Sequence, residues 1–412
     1  MMPIHKNWFR MPVTALVCII FVSSLVSIPF ANAIAGNSMP TPTLLWSYKA
    51  GDQAYLSPEV VNNIVYVGLG DNVYALNAGT GAYIWSSTAG PVGPSLAVVS
   101  GVVYVGSEDD NVYAFNASNG GQVWNYTTGG AVDSSPAVSN GVLYVGSDDD
   151  NIYALDANNG GQVWNYTTGG AVDSSPAVSN DVVYVGSDDS NVYALNATSG
   201  DQLWNYTTGN WVGSSPAVVN DVVYVGSVEG KVLALNATNG GQVWNYTTGG
   251  AVLSTPAVAS GIVYVGSDDN NIYALNSANG DLVWNYTTGG EVNSSPAVAN
   301  GIVYIGSDDD NVYALNATSG DQLWNYTTNG EVDSSLVVVG GVLYVGSGGN
   351  IYALGTSPTS SPSLTSSNNL PIIIIVPVAV VIVAAAVFLT FKRKSKTKTK
   401  NSSLSPKDSA VS

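Results

Sequence analysis

The amino-acid sequence predicts an all-β fold: an eight-bladed β-propeller of four-stranded antiparallel blades, closed by the N-terminal strand and followed by one C-terminal transmembrane helix. Three observations carry this prediction. A unit of about 40 residues repeats along most of the chain, each unit holds four strand-like runs, and the two incomplete ends of the array complement each other. A fixed period near 40 residues is typical of repeat architectures, and four strands per repeat are typical of propeller blades.

The repeat is clearest from one tryptophan in each unit. Residues 124–163 and 164–203 are identical at 31 of 40 positions. Successive tryptophans in this register are 39, 39, 40, 40, 40, 40 and 40 residues apart. Units that bury surface against their neighbours form one body, so the length of the chain does not imply several domains. The series consists of Trp46, Trp85, Trp124, Trp164, Trp204, Trp244, Trp284 and Trp324.

Each unit contains four short runs that are rich in β-branched and aromatic residues. In one unit the predicted strands are Pro136–Val138, Val142–Ser147, Asn151–Ala157 and Gln162–Thr168. The links between them read Ser-Asn-Gly, Asp-Asp-Asp and Asn-Asn-Gly-Gly, which favour tight turns. No amphipathic helical period occurs in this region, so all four runs are predicted to be strands.

The ends of the array decide between a closed ring and an open solenoid. Leu44–Tyr48 matches only the fourth strand of a unit, and Leu336–Leu354 matches only the first three. The N-terminal strand can therefore complete the last blade, which removes the free sheet edges of an open array. A parallel solenoid would need a shorter period and would keep two open ends. Eight three-strand sets give eight blades, and we expect the propeller to span residues 34–355.

Residues 1–33 have the pattern of a secretory signal peptide. Lys6 and Arg10 form a basic start, Val13–Phe30 is mostly apolar, and residues 31–33 read Ala-Asn-Ala, which is a typical cleavage site. An uncleaved N-terminal anchor is the alternative.

The C-terminal part of the chain predicts a membrane anchor. Residues 356–370 form a Ser/Thr/Pro-rich linker, and residues 371–391 are 21 uncharged positions, long enough to span a bilayer. The basic tail, residues 392–412, follows at once, and the positive-inside rule places it in the cytoplasm. We therefore expect a single-pass protein of the cell membrane whose propeller is extracellular.

The repeat region is strongly acidic. Between residues 49 and 333 there are 28 acidic residues and only two lysines, Lys49 and Lys231. Such a surface repels nucleic acid, whose binding depends on basic residues that neutralise phosphates. It attracts cations or a basic protein instead. The alternative is that the charge serves solubility alone.

The segment Ala234–Trp244 reads Ala-Leu-Asn-Ala-Thr-Asn-Gly-Gly-Gln-Val-Trp and resembles the tryptophan-docking motif of PQQ-like repeat propellers. In that family the motif's tryptophan packs between neighbouring blades, so the resemblance implies this role for the eight tryptophans of the series. The resemblance covers about three-quarters of the chain. The motif recurs in seven of the eight units, with Asn or Asp at its third position: Asn77, Asn116, Asp156, Asn196, Asn236, Asn276 and Asn316.

The resemblance implies a fold rather than one function, because the family includes quinoprotein dehydrogenases as well as the propeller lipoprotein of the outer-membrane barrel-assembly machinery. The dehydrogenases hold PQQ with a metal, cationic contacts and, in many members, adjacent cysteines. The repeat region here has no arginine, and the only cysteine and histidine, Cys18 and His5, precede it. Near-identical blades also leave little room for a unique site. We therefore expect no catalytic residues, no bound PQQ and no enzymatic activity.

The acidic runs between the second and third strands have two interpretations. Oxygen clusters suit Ca²⁺. However, Ser-Asp-Asp-x-Asn is also good turn chemistry, and the spacing is not that of a helix-flanked calcium loop. No specific motif supports Ca²⁺, so no cofactor or resident metal is predicted. The runs are Glu108–Asp110, Asp148–Asp150, Asp188–Asp189, Asp268–Asp269 and Asp308–Asp310.

The strand order places these hairpins on the same face of the ring as the loops that lead from each fourth strand to the next first strand. Those loops carry Asp133 and Asp173, so this face is predicted to be acidic and to meet a basic protein partner. One unit breaks the pattern, with Trp211 in place of alanine and with Glu229 and Lys231 in place of the Asp-rich hairpin. An exposed tryptophan beside a cation is typical of a contact hot spot. Drift of one repeat copy is the alternative.

Asn-Tyr-Thr sequons lie on the predicted fourth strands, at the outer edge of each blade, where N-glycans can attach in a secreted protein. Polar edge residues that repeat duplication multiplied explain them equally well. The sequence thus favours a non-catalytic protein-binding scaffold, with a glycosylated surface coat as the alternative and a quinoprotein-type dehydrogenase third. The candidate acceptors are Asn125, Asn165, Asn205, Asn245, Asn285 and Asn325.

Overall fold

The computed structural model describes residues 41–49 and 57–355. The predicted signal peptide (1–33), linker (356–370), transmembrane helix (371–391) and basic tail (392–412) lie outside the described residues. Within the described ranges every regular element is a β-strand, and no helix is long and apolar enough to cross a membrane.

The strands of the described ranges form eight four-stranded antiparallel sheets, which confirms the predicted eight-bladed propeller. Blade 1 consists of β2 (Glu59–Val61), β3 (Ile64–Leu69), β4 (Asn72–Asn77) and β5 (Tyr83–Thr88). Blade 2 consists of β6 (Val92–Val99), β7 (Val102–Ser107), β8 (Asn111–Asn116) and β9 (Gln122–Thr127). Blade 3 consists of β10 (Ala137–Ser139), β11 (Val142–Gly146), β12 (Asn151–Asp156) and β13 (Gln162–Thr167). Blade 4 consists of β14 (Ala177–Ser179), β15 (Val182–Gly186), β16 (Asn191–Asn196) and β17 (Gln202–Thr207).

The other four blades have the same composition. Blade 5 consists of β18 (Ala217–Val219), β19 (Val222–Ser227), β20 (Lys231–Asn236) and β21 (Gln242–Thr247). Blade 6 consists of β22 (Ala257–Ala259), β23 (Ile262–Gly266), β24 (Asn271–Asn276) and β25 (Leu282–Thr287). Blade 7 consists of β26 (Ala297–Ala299), β27 (Ile302–Gly306), β28 (Asn311–Asn316) and β29 (Gln322–Thr327). Blade 8 consists of β30 (Val337–Val339), β31 (Val342–Ser347), β32 (Asn350–Gly355) and β1 (Thr43–Lys49).

Strand bounds differ from the predicted ones by about one residue. β10 begins at Ala137 rather than at Pro136, because proline has no N–H to contribute to a ladder. β12 ends before Ala157, whose N–H bonds the Gly141 carbonyl in the turn between the first two strands instead of a partner strand. The turns therefore take up the terminal residues of the predicted runs.

The hydrophobic core lies between blades rather than within any one of them. One cluster joins Ile152 and Trp164 of blade 3 to Val183 and Leu195 of blade 4, and each of the eight blade interfaces has its counterpart. The middle four residues of β12 are all buried, because neighbouring sheets cover both faces of this strand. A single blade therefore has no core of its own, and stability depends on the stacking of blades.

The tryptophan series lies in these interfaces. Trp164 donates its indole N–H to the Ala197 carbonyl of the next blade at 3.0 Å, and the Tyr144 hydroxyl donates to the same carbonyl at 3.0 Å. The two rings are tilted, with centroids 5.8 Å apart. The eight tryptophans are only 3 to 8% exposed. Each interface thus contains a large buried indole, and in seven of the eight its N–H donates to a described carbonyl of the next blade.

Blade 8 closes the ring in the way that the incomplete sequence ends predict. Its strand order is β1-β32-β31-β30, so the N-terminal strand lies at the outer edge. Thr43 pairs with Gly355 in an antiparallel register. Trp46 and Tyr344 both donate to the Ala78 carbonyl of blade 1, at 2.9 and 3.1 Å. The closing interface therefore uses the same contact as the interfaces within the chain.

We expect Gly240→Ala to destabilise the propeller more than Gly301→Ala. Gly240 has φ +70°, and a Cβ there would lie 2.7 Å from Cε3 of Trp204. Gly301 has φ +75°, but a Cβ there would meet nothing within 4 Å. Backbone strain plus displacement of the indole should cost about 2–4 kcal/mol, against about 1 kcal/mol for strain alone. The guanidinium unfolding midpoints of the two full-length variants check this, and equal losses would contradict the packing role of Trp204.

Candidate functional site: the hairpin end of the propeller

Two kinds of loop meet at one end of the propeller, which we call the hairpin end. It consists of the hairpins between the second and third strands and the crossing loops from each fourth strand to the next first strand. In blade 3 the Gly129 amide of the crossing loop donates to Asp149 Oδ2 at 2.7 Å. The Asp148 amide donates to the Ala131 carbonyl at 2.9 Å. Hairpin and crossing loop are therefore held together, and their carboxylates lie side by side.

The second aspartate of the hairpin is a structural acceptor. Asp149 Oδ2 also accepts a hydrogen bond from the Tyr153 hydroxyl at 2.6 Å, and Oδ1 accepts one from the Asn151 amide at 3.1 Å. Burial alone would raise the pKa of Asp149, but these hydrogen bonds outweigh burial and hold the pKa below its ordinary value. We call this arrangement the aspartate clamp. The same lowered pKa occurs at Asp189, Asp269 and Asp309.

The first aspartate of the hairpin faces another carboxyl group instead. Asp173, in the crossing loop of blade 4, is hydrogen-bonded to Asp148 of blade 3. Burial, this hydrogen bond and the nearby charges of Asp188, Asp148 and Asp133 raise the pKa of Asp173 to about 7. A carboxylate has no donor of its own, so the two groups can bond only while they share a proton.

A second carboxyl pair joins blades 7 and 8. Burial and a hydrogen bond to Asp333, with the nearby charges of Asp333, Glu331 and Glu291, raise the pKa of Asp308 to about 8. The Oδ1 atoms of Asp173, Asp308 and Asp333 are sealed from solvent and accept no hydrogen bond from a conventional donor among the described residues. These oxygens therefore need a proton or a donor from outside the chain.

The same end carries a cleft of about 660 Å³ between blades 8 and 2. Its lining includes Glu108, Asp310, Glu331 and Asp333, and none of the described lining residues is Lys, Arg, His or Cys. Over residues 41–49 and 57–355, no group of three or more His, Cys, Asp and Glu side chains is arranged to hold a metal ion. The described lining thus offers anionic oxygens and no cationic contact.

Trp211 lies in the crossing loop of blade 5 with 38% of its surface exposed. The Val228 amide donates to its carbonyl at 3.2 Å and joins this loop to the hairpin of Glu229 and Lys231. Lys231 Nζ lies 2.5 Å from Glu229 Oε1 and donates to the Thr208 carbonyl at 3.4 Å. The sequence-predicted residues of this blade are therefore together, but the lysine charge is neutralised locally.

Asp133 and Asp173 belong to the carboxyl cluster of blades 3 and 4 rather than to the surroundings of Trp211. Sequence reasoning missed Gly213 and Leu253, which lie near Trp211. A Cβ on Gly213 would lie 3.4 Å from Leu253 Cδ2 and 3.7 Å from Trp211 Cζ3. The tryptophan and leucine side chains therefore both approach the glycine. Aligning the units reveals this signal, because Gly213 and Leu253 stand where Asp133 and Asp173 stand in their units.

The candidate glycan acceptors lie on the outer rim rather than at the hairpin end. Each is exposed within the fourth strand of its blade. Asn125 Oδ1, for example, accepts a hydrogen bond from Gln122 Nε2 at 3.2 Å. The set is Asn125, Asn165, Asn205, Asn245, Asn285 and Asn325.

The fold and the docking tryptophans define a repeat β-propeller in which one contact joins all blades. A family model described as outer membrane protein assembly factor BamB matches residues 69–210, 127–255, 207–295 and 247–358. The chain belongs to this family of PQQ-like repeat propellers. No curated protein matches the chain at the level of sequence.

Solved structures with the same fold have different functions. BamB from Moraxella catarrhalis is 19% identical with a TM-score of 0.67, covering 76% of this chain and 99% of its own. The computationally designed Ika8 protein is 17% identical with a TM-score of 0.69, covering 76% and 99%. The quinohemoprotein alcohol dehydrogenase ADHIIG from Pseudomonas putida HK5 is 17% identical with a TM-score of 0.66, covering 79% and 78%. At such identities the likeness shows the fold alone.

Two neighbouring aspartates of one hairpin are expected to differ in their effect on stability. Asp189→Ala should lower the free energy of unfolding by about 2 kcal/mol, because the Gly169 amide and the Tyr193 hydroxyl lose their acceptor. Asp188→Ala is the matched control, and it should be neutral or stabilising because it removes a charge close to Asp148. Guanidinium unfolding at neutral pH checks both variants. A loss at Asp188 equal to that at Asp189 would contradict the clamp.

Stability is also expected to fall as the pH rises from about 5 to about 9. In the folded chain the pKa of Asp173 is about 7 and that of Asp308 about 8, against about 3.9 for an ordinary aspartate in the unfolded chain. Between these values the folded chain keeps protons that the unfolded chain has released. The stability that these groups contribute at low pH is therefore lost as the pH rises through their folded pKa values. Thermal midpoints measured across this range check the direction.

A matched pair of double variants isolates the carboxyl pairs. Asp173→Asn with Asp308→Asn should flatten the pH dependence, because amides do not titrate and can donate to Asp148 and Asp333. Asp201→Asn with Asp321→Asn removes two exposed carboxylates and should keep the wild-type slope. An unchanged slope in the first variant would contradict proton sharing.

Proposed function

We propose that this chain is a membrane-anchored scaffold at the cell surface that binds a protein partner through the hairpin end of its propeller and catalyses no reaction. The observation that carries the proposal is the set of side chains at the hairpin end. It concentrates carboxyl groups that lack donors, and in one blade it exposes a tryptophan that packing between blades does not use. Surfaces of this kind are typical of partner recognition.

A basic partner fits the charge of this end. Asp173 and Asp308 are each held beside another carboxyl group, and Lys231 is already paired with Glu229. A lysine or arginine from a partner would offset the negative charge and relieve the repulsion within each pair. An anionic partner would add to that repulsion.

Family membership supports a binding role. The family model and one of the structural neighbours have the name BamB, and the model's description is that of an outer membrane protein assembly factor. A protein that assists assembly acts by holding other proteins, which is the role that we propose for this propeller. The anchor part of the proposal depends on the uncharged residues 371–391 and the basic tail behind them.

The non-catalytic part of the proposal is supported by the chemistry of the described cleft. Glu108, Glu331 and Asp333 would repel the carboxylates of PQQ, and no described lining residue supplies a cation. Nucleophilic or acid–base catalysis would also need reactive side chains in one blade that the other blades lack. The hairpins of blades 1 and 8 differ by glycines, and blade 5 replaces carboxylates with Trp211 and an ion pair rather than adding reactive groups.

A glycosylated surface coat is the second candidate function. Its support is that all six Asn-Tyr-Thr asparagines are exposed on the outer edges of the blades. Glycans at these positions would surround the rim and leave the hairpin end open, so the two functions are compatible.

In-cell cross-linking of the full-length chain, followed by affinity capture and mass spectrometry, tests the scaffold function. We expect a defined partner that a four-site charge variant recovers about tenfold less well. The variant replaces by asparagine the first hairpin aspartates Asp148, Asp188, Asp268 and Asp308. The matched control makes the same charge change where third strands end and in the turns that follow them, at Asp156, Asp201, Asp281 and Asp321.

Two results would contradict the proposal. One is capture that is no better than that of an unrelated membrane protein, or that the hairpin variant does not reduce. The other is PQQ-dependent reduction of an electron-accepting dye by the full-length chain, which would make the protein an enzyme.

A further inference from the structure

The carboxyl ring of the hairpin end has one apolar interruption. In the repeat, the first hairpin residue of each blade and the central crossing-loop residue of the next blade occupy equivalent positions around the ring. Near the closure of the ring, glycines stand at three of these positions, Gly70, Gly93 and Gly348. From Glu108 to Asp333 most of the positions hold carboxyl groups, but those around blades 5 and 6 do not. In chain order the pairs are Glu108 with Asp133, Asp148 with Asp173, Asp188 with Gly213, Val228 with Leu253, Asp268 with Asn293, and Asp308 with Asp333.

Trp211 differs from the docking tryptophans in both exposure and bonding. Trp204 of the preceding strand is 8% exposed and donates its indole N–H to the Ala237 carbonyl at 2.9 Å. Trp211 is 38% exposed, and no described residue accepts a hydrogen bond from its indole N–H. A half-exposed indole with an open donor is suited to contact another molecule.

The substitutions in blade 5 are coordinated. In blade 4 the clamp uses Asp189, Asn191 and Tyr193. Blade 5 has Glu229, Lys231 and Leu233 at these positions, and the clamp is replaced by the ion pair of Glu229 with Lys231. The hairpin still bonds the crossing loop, through the Val228 amide and the Trp211 carbonyl. The loop geometry is thus kept while the charge is removed at the place where the tryptophan is added.

Gly213 makes room for this arrangement. At the equivalent place in blades 3 and 4 a carboxyl side chain projects from the crossing loop, whereas here the Trp211 and Leu253 side chains both come within van der Waals distance of where a Cβ would be. Leu253 and Val228 are both half-buried and so keep part of their surface open. We call Trp211, Gly213, Val228 and Leu253 the apolar seat.

We propose that the apolar seat docks a short extended segment of a protein partner in which one bulky apolar side chain is flanked on both sides by lysine or arginine. The seat receives the apolar side chain. The carboxyl groups on either side of it receive the cations: Asp148, Asp173 and Asp188 on one side, and Asp268, Asp308 and Asp333 on the other.

Charge complementarity identifies this occupant. A purely apolar ligand would leave the crowded carboxyl groups of Asp268 and Asp308 beside their neighbours' negative charges, whereas a flanking cation offsets these charges. A second copy of this chain would bring more carboxylates to the same place. This inference rests on the proposed scaffold function and names the chemistry that its hairpin end recognises.

Binding of such a segment is linked to protons. The pKa of Asp173 is raised to about 7 by burial and neighbouring carboxyl groups, so its charged form becomes available only near neutral pH. A cation favours the charged form. Affinity should therefore increase as the pH rises from about 6 to about 8, with release of protons on binding.

Fluorescence anisotropy of labelled peptides on the purified full-length chain tests the proposal. The probe has a central phenylalanine flanked by lysines in a Gly/Ser background, and its two comparison peptides replace the lysines by glutamates or the phenylalanine by serine. We expect only the probe to bind. Trp211→Ala should weaken binding about tenfold or more, and Leu253→Asn several-fold.

The controls keep the outcome interpretable. Other crossing loops have Ala131 and Ala171 where Trp211 stands, and Asn293 where Leu253 stands, so both variants are compatible with folding. Val163→Ala removes an equally open apolar side chain from the outer rim and should leave the affinity unchanged. An unchanged thermal midpoint in each variant establishes that only the surface has been altered.

Three results would overturn the inference: no binding of the probe, equal binding of the glutamate peptide, or wild-type affinity in Trp211→Ala. None of them would by itself remove the scaffold function, because cross-linked capture with the four-site charge variant tests that separately. Conversely, suppose that capture fails but peptide binding depends on Trp211. This result would support the apolar seat as a binding site and contradict the scaffold function.

Discussion

The fold depends on one contact, the meeting of a tryptophan and a tyrosine from one blade at a single carbonyl of the next. Trp164 and Tyr144 donate to Ala197, and the same geometry closes the ring through Trp46, Tyr344 and Ala78. Because each blade lacks a core of its own, a tryptophan of the series packs at every interface. This shared packing explains why the repeats stay so alike in their strands, and why differences between copies collect in the loops.

Sequence alone was sufficient for features that depend on local period. The strands, the number of blades and the completion of blade 8 all follow from the spacing of tryptophans and turns. The roles of residues that contact a neighbouring blade could not be predicted from this spacing. Asp148 and Asp149 are adjacent and chemically identical, yet one meets a carboxyl group across an interface and the other accepts three hydrogen bonds. Gly213 and Leu253 are 40 positions apart in the sequence, and only the fold brings them close together.

The hairpin end combines two electrostatic states of the same side chain. Clamp aspartates such as Asp149 are stabilised as anions by donors within the chain, and they hold the loops in place. Pair members such as Asp308 are crowded by other carboxyl groups and are stabilised by a proton. The first group fixes the shape of the surface, and the second makes its charge depend on pH and on nearby cations. A rigid frame with unsatisfied charges is well prepared for a cationic ligand, because little ordering remains to be done on binding.

The path of the chain at ring closure has a further consequence for access. β32 runs away from its hairpin, so Gly355 pairs with Thr43 and with Val342 at the end of the propeller opposite to the hairpins. The chain therefore enters and leaves the ring at adjacent points on its base. Both described ends of the ring thus lie opposite to the hairpin end, and neither of them restricts the approach of a partner to it.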